Sequence, residues 1–463
     1  MRAFPDVSFR KIRHTLKRKE GQEVREVTGR NRNIVYILGV MAMLCVILGI
    51  IRFTATEGGK LKGNTESELE LPGDSGKKAP GSVPEGNIRV LLMTSGYGNF
   101  LHDTVSLGAD SGLLLVYGNK EEEWKEGILT LAPDDARFAE GRITVYPLKE
   151  KEEIRVESIE RGCGIPSYEG VIEVWSGEEG MAVINELSME QYLCKVVPSE
   201  MPSSYEMEAL KAQAVCARSY AARQMGDYAY PQYEAHVNDS TEFQVYNNSY
   251  TAGSSSQAVA ETAGEVVRYQ GNVAVTYYYS TSCGRTTNME AWGSASNEGN
   301  AYLQSVQVCG DAGDYEKELP WYHWRAEIGA ETLAGLIGGY ANKSLGTLQS
   351  VEVTKRGPGD VALELTAVGT ENTVVVATEN KIRTALGGAG YTIVKNDGQT
   401  VESQRLLPSA FFTITRQEDI YIIEGGGYGH GIGMSQNGAN EMAKNGKTYK
   451  EILGLFYQGV TVE

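Results

Sequence analysis

The run IVYILGVMAMLCVILGII, from Ile34 to Ile51, carries no charge over eighteen residues. A helix needs roughly 17–25 apolar residues to cross a bilayer, and Phe53 beyond Arg52 extends the run. A buried core helix would show a polar face, and this run has none. A signal peptide has a shorter apolar segment, a shorter charged lead and a small-residue cleavage site. The run therefore predicts a retained single-pass anchor over residues 34–53, which divides the chain between two compartments. Residues 1–33 hold ten Lys/Arg against four Asp/Glu, a balance of +6, while the 463-residue chain carries −17, which leaves −23 on the rest. Basic flanks stay in the cytoplasm, so the tail 1–33 is expected inside and everything beyond the anchor outside. An acidic body also excludes nucleic acid, whose phosphates need basic patches.

Residues 54–87 are rich in Gly, Glu, Lys, Ser and Pro and lack the apolar surface to fold, so they read as a flexible linker. The body, 88–463, opens with the strand-like IRVLLMT. Further strands are expected at 112–117, 142–146, 170–175 and 181–186, then at 264–269 and 273–282 around a hairpin at 270–272, and later at 348–355, 361–367 and 372–378. Helices are expected at 331–340, up to about 445, and over 449–457. No regular βαβ rhythm links them, which predicts an α+β fold. Five cysteines fall in the exported part, where oxidation permits disulfides. Cys283 with Cys309 is the favoured pair, because a loop rather than a helix separates them.

One acid stands out. In VVPSEMPSSYEMEAL, Glu200 lies two residues after Pro198 and two before Pro202. Each proline fixes its own φ and biases the residue before it away from the helical region. The sequence after it, with Met207, Leu210, Ala214, Ala217 and Ala221 at helical spacing, predicts a helix, and Ser203 with Glu206 is a capping-box signature. Glu200 would then stand before a helix N-terminus, where the dipole favours the charged form. A proton-carrying role would need burial or a neighbouring acid to outweigh that. The alternative is a helix-terminal acid with no chemistry.

Other chemistry fits less well. The loop GGGYGHGIGMSQNGA has neither the Lys-Ser/Thr of a phosphate loop nor a following βαβ setting. It is either a tight strand-to-helix turn or a bare-backbone loop that lets His430, Ser435 and Gln436 approach a polar ligand. His430 is alternatively a satisfied structural histidine. Ser280, Ser282 and Cys283 show no nucleophile-elbow pattern. The five histidines have no metal-ligand spacing.

At three places the sequence resembles a known family. YLCKVVPSEMPSSYEMEALKAQAVCARSYA (192–221), YYSTSCGRT (278–286) and GYGHGIGMSQNGANEMAKNGKTYKEILGLFYQG (427–459) resemble, in order, the stage II sporulation protein D / LytB family. That resemblance implies a lytic transglycosylase acting on peptide-stripped glycan strands of peptidoglycan, in septal wall remodelling and forespore engulfment. It implies stage II sporulation proteins P and M as partners. Glu200, in the family's S-E-M-P motif, would be the catalytic acid. Ser199, Lys211, Gln213, Arg218, Tyr278, Ser280, Ser282, His430 and Gln436 would bind the glycan. Some relatives bind zinc through Cys and His before the equivalent of Gln244–Tyr246. Here Glu242 and Phe243 stand there, so no metal and no cofactor is expected. The other role known among such relatives is a non-catalytic wall-binding protein or amidase enhancer.

Overall fold

The computed structural model describes residues 86–246 and 253–463. The expected tail, anchor and most of the linker lie outside these residues. Among the described residues no helix is long and apolar enough to cross a membrane.

Alternating apolar residues build the first layer. Leu113, Leu115, Ile143, Val145, Ile172 and Val174 are fully buried, and they line one face of a seven-stranded sheet. Its order is Val237–Asn238, Ile88–Leu91, Gly180–Leu187, Val171–Gly177, Ile143–Pro147, Leu113–Tyr117 and Lys120–Trp124. The charged run KEEEW forms one edge, which blunts it against pairing with another chain. A four-stranded sheet, Leu129–Leu131, Val105–Gly108, Ile154–Val156 and Ser167–Tyr168, shares the same core.

The helices among the described residues are α1 (Met189–Glu200), α2 (Met207–Gln224), α3 (Gly253–Glu261), α4 (Ala330–Ala341), α5 (Glu379–Leu386), α6 (Gln436–Lys444) and α7 (Tyr449–Phe456). The buried alanines of α2, from Ala209 to Ala222, leave room for α1, α3, α6 and α7 to pack around it. It is the central helix of the molecule. Residues 324–425 add a five-stranded sheet, in which Trp324–Gly329 lies between Thr392–Lys395 and Ile420–Gly425, and a three-stranded sheet of Leu348–Arg356, Ala362–Gly369 and Thr373–Ala377. The chain then returns. Met434–Ser435 runs parallel to Tyr278–Tyr279, and Thr461–Val462 pairs with Val267–Tyr269. Helices and strands interleave without a regular crossover, so the fold is α+β.

Local expectations change at three places. Ser203 and Glu206 do not form a capping box: the Ser203 hydroxyl pairs with Ser255 at 2.8 Å, and the Glu206 N–H donates to Asn440 Oδ1 at 2.9 Å. A contact with α6 thus takes the place of a local cap. Residues 273–282 are not one strand. Asn272–Val273 closes a hairpin across Gln270 and Gly271, both at positive φ (50° and 81°), and the chain then leaves the sheet. At Val275 the Tyr302 hydroxyl accepts the backbone N–H and donates to the carbonyl, both at 3.0 Å, in place of a strand partner. Finally, Cys283 and Cys309 are both free thiols. Cys283 packs beside Gly426, whereas Cys309 is exposed in a two-residue strand opposite Asp314.

Candidate functional site

Helix α1 carries the acid. Ser188 accepts the Gln191 N–H while the Gln191 side chain accepts the Ser188 N–H, which starts the helix firmly. Tyr192, Leu193, Val196 and Val197 bury its inner face. Pro198 lies inside the last turn, since its fixed φ is helical, and its lost N–H costs only the bond to the Cys194 carbonyl. Pro202 sets the end. It favours an extended residue before it, and Met201 has φ −133° and ψ 134°. Glu200 is therefore the last residue of α1, not a residue at the mouth of α2.

That placement reverses the sign of the helix-dipole effect. The C-terminal end of a helix is negative and disfavours a carboxylate. Burial acts in the same direction, since Glu200 is 3% exposed. Burial pushes its carboxyl up to about 7, against partial opposition from the Val245 N–H and the Tyr278 hydroxyl. The Val245 N–H donates to Oε1 at 2.8 Å. Gln244 fixes the tyrosine: its Nε2 donates to the Tyr278 hydroxyl at 3.2 Å and to the Ala217 carbonyl at 3.3 Å, while Tyr192 donates to its Oε1 at 3.4 Å. With one donor already supplied by Gln244, the Tyr278 hydroxyl has its own proton for Glu200.

The C-terminal block reaches the same acid. Gln436 Nε2 donates to the Glu200 carbonyl at 3.0 Å and lies 3.4 Å from Gln213 Oε1. Gln213 is fully buried, and among the described residues its Nε2 has no hydrogen-bond partner. Four stretches far apart in sequence thus converge: Ser199–Glu200 with Gln213, Gln244–Val245, Tyr278, and Gln436. A carboxyl that holds its proton near neutrality, beside a tyrosine hydroxyl, can act as a general acid.

The remaining expected residues are placed differently. Ser199 donates to the Lys195 carbonyl at 2.6 Å. Ser280 lies 3.2 Å from the Thr281 hydroxyl, and its carbonyl accepts the Asn437 N–H at 2.9 Å. Ser282 bonds to Glu316. His430 is a structural histidine: its Nδ1 accepts the Ile432 N–H and its Nε2 donates to the Tyr278 carbonyl, both at 3.0 Å. Burial drops its pKa to about 3, so the ring is neutral and both nitrogens are engaged. Arg218 is 1% exposed and paired with Glu190 at 2.7 Å. Lys211 pairs with Glu208 and Glu261, at 3.0 and 2.7 Å. These two form the ion-paired face of α2 toward α3, away from Glu200.

Sequence reasoning missed Gln244, whose only signal is its place in the Q-V-Y motif, and the Val245 N–H, which has none. It also missed Glu316, which sits in a Glu/Lys-rich loop that reads as solvated. Among the described residues no three His, Cys, Asp or Glu side chains are grouped as metal ligands would be.

The sequence that builds this site is similar to known families. Residues 177–269 match the family described as Stage II sporulation protein, and residues 294–433 match a domain of unknown function. The chain is similar to stage II sporulation protein D of Bacillus subtilis, at 31% identity over 60% of this chain and 75% of that protein. It is also similar to an uncharacterized protein of Brachyspira hyodysenteriae, at 35% identity over 64% of this chain and 72% of that protein. The amidase enhancer of Bacillus subtilis is 28% identical over 58% of this chain, which spans only 39% of that longer protein. The helix that ends at Glu200 and the central α2 both lie inside the first matched region, and on these matches the chain belongs to the stage II sporulation protein D family.

Proposed function

We propose that the chain is a peptidoglycan lytic transglycosylase, with Glu200 as its catalytic acid. The observation that carries this reading is a carboxyl that retains its proton up to about pH 7 at the junction of three family motifs. Cleaving the bond between N-acetylmuramic acid C1 and the N-acetylglucosamine 4-oxygen requires a proton on that oxygen. Most glycosidases add a second carboxylate to activate water or attack the sugar. Here the muramic acid's own 6-hydroxyl closes onto C1, and the Glu200 carboxylate takes up the hydroxyl proton. The acid is thereby regenerated, no water is consumed, and the product is a 1,6-anhydro sugar. Tyr278 and the Val245 N–H supply donors to the acid. Gln436 and Ser199 hold its backbone, while Ser280 and Ser282 continue along the same strand end.

The family and the predicted anchor support the wider reading. It comprises a cytoplasmic tail at 1–33, a transmembrane helix at 34–53, a linker at 54–87 and an extracytoplasmic domain at 88–463. The domain would act on septal wall during engulfment, with stage II sporulation proteins P and M as partners.

A second reading is a non-catalytic wall-binding protein or amidase enhancer. The relative of that name and the near-complete burial of Glu200 favour it. Incubation of the purified chain with peptide-stripped glycan separates the two. The enzyme reading expects products one water lighter than hydrolysis gives, a rate that falls as pH rises above about 7, and loss of at least about a thousandfold in Glu200→Gln. Parent-level turnover in that variant would remove Glu200 from the chemistry. No cleavage by the parent chain would leave the second reading.

A further inference from the structure

A second buried acid has no place in the reaction above. Glu316 is fully buried, and among the described residues no Lys, Arg or His pairs with it. Its Oε1 accepts the Ser282 N–H at 2.9 Å and the Ser435 hydroxyl at 2.8 Å, and its Oε2 accepts the Ser282 hydroxyl. A side chain at Gly438 would come within 2.9 Å of Oε2, so only a bare backbone fits there. The two serines are not arbitrary anchors. Ser282 lies just past the Tyr278–Tyr279 strand, and Ser435 ends the parallel strand beside it and caps α6 through the Gly438 N–H at 3.1 Å.

Each anchored segment carries a group that touches Glu200. Tyr278, four residues before Ser282, gives its hydroxyl to the carboxyl. Gln436, next to Ser435, gives its amide to the Glu200 carbonyl. The carboxyl of Glu316 is a buried charge-bearing group bound only by donors from these two segments, a costly arrangement for packing alone.

Resting on the transglycosylase reading, we propose that Glu316 is a positioning residue that clamps the two strand ends and so fixes Tyr278 and Gln436 against Glu200. Its own carboxyl is pushed up to about 7 by burial, although three serine donors oppose the shift. Glu441 adds to the upward shift, and the titratable groups that feel Glu316 in turn are Tyr205, Tyr279 and Cys283.

The test uses the full chain in detergent, with Glu316→Gln and Glu316→Asp beside the parent. Two quantities are read: kcat and KM on stripped glycan, and the titration of the Glu200 carboxyl by carbon NMR, assigned by its loss in Glu200→Gln. Aspartate keeps the charge but withdraws it by one methylene from Ser282 and Ser435. Positioning predicts that both variants lower kcat about tenfold or more with KM little changed, and that both move the Glu200 midpoint above about 7, because the Tyr278 hydroxyl that favours the carboxylate is withdrawn. A change in Glu316→Gln alone would make the effect one of charge and overturn the proposal. A lowered melting temperature with parent-like kcat and Glu200 titration would make Glu316 a mere brace and overturn it as well. If the parent cleaves no glycan while both variants still shift the Glu200 midpoint, the clamp stands and the enzymatic reading falls.

Discussion

At the residue scale, Glu200 should leave a thermodynamic mark that does not depend on substrate. Below pH 4.5, its ordinary value, the carboxyl is protonated in the folded and unfolded chain alike, and it costs nothing. Between 4.5 and about 7 the unfolded chain releases the proton while the folded chain keeps it. The native state then binds more protons, so stability falls as pH rises, and above about 7 the full penalty of roughly 3 kcal/mol remains. Glu200→Gln removes the titrating group. Its melting temperature relative to the parent should therefore rise between pH 4 and pH 8, which calorimetry at the two pH values would measure. A constant difference would mean that Glu200 titrates normally. The sequence made this residue visible through its two prolines, but it could not supply the sign of its surroundings. Pro198 argued for a break in the chain, yet its φ is helical and it ends up inside α1. Glu316 was invisible for a simpler reason: DYEKELP has the composition of an exposed turn, and only the tertiary fold buries its second acid.

At the scale of single elements, α4 and the strands at 113–117, 143–147, 171–177 and 180–187 follow from apolar periodicity, and the structure places them within a residue or two of expectation, whereas the helix α1 that carries Glu200 was not expected. Short pairings were not legible, because two-residue strands such as Tyr278–Tyr279 exist only through their partner. The closeness of that partner depends on Gly433. It adopts φ +73°, and a Cβ there would lie 2.1 Å from the Tyr277 carbonyl. Gly433→Ala must therefore push Met434–Ser435 away from Tyr278–Tyr279 as well as bear a left-handed backbone. A cost of about 3 kcal/mol or more is expected. Gly446 provides the control, with φ +80° and nothing within 4 Å of a built Cβ. Alanine there should cost only about 1–2 kcal/mol of backbone strain. Denaturant unfolding of the two variants compares them directly. Equal losses would show that the approach of the two strands is not tight, and would weaken the role given to Gln436.

At the scale of the whole molecule, the sheet order was the least legible property. Ile88–Leu91 pairs with Val237–Asn238, and Val267–Tyr269 with Thr461–Val462. Nothing local encodes pairings across such spans, and only the assembled core selects them. The compartment, by contrast, is a proposal that rests on the uncharged run and on the basic charge ahead of it. A tail with ten Lys/Arg ahead of an uncharged run favours one orientation under the positive-inside rule. Moving the basic tail across a membrane potential of about 100 mV, positive outside, would cost about 2.3 kcal/mol per charge, whereas the acidic body is not opposed in that way. Protease added to spheroplasts that express the chain should therefore digest residues 54–463 and spare an epitope placed before residue 30. Removing residues 1–53 should release the body from the membrane fraction. Digestion of the N-terminal epitope with the body protected would invert the topology and place Glu200 on the side without peptidoglycan, where the proposed reaction has no substrate.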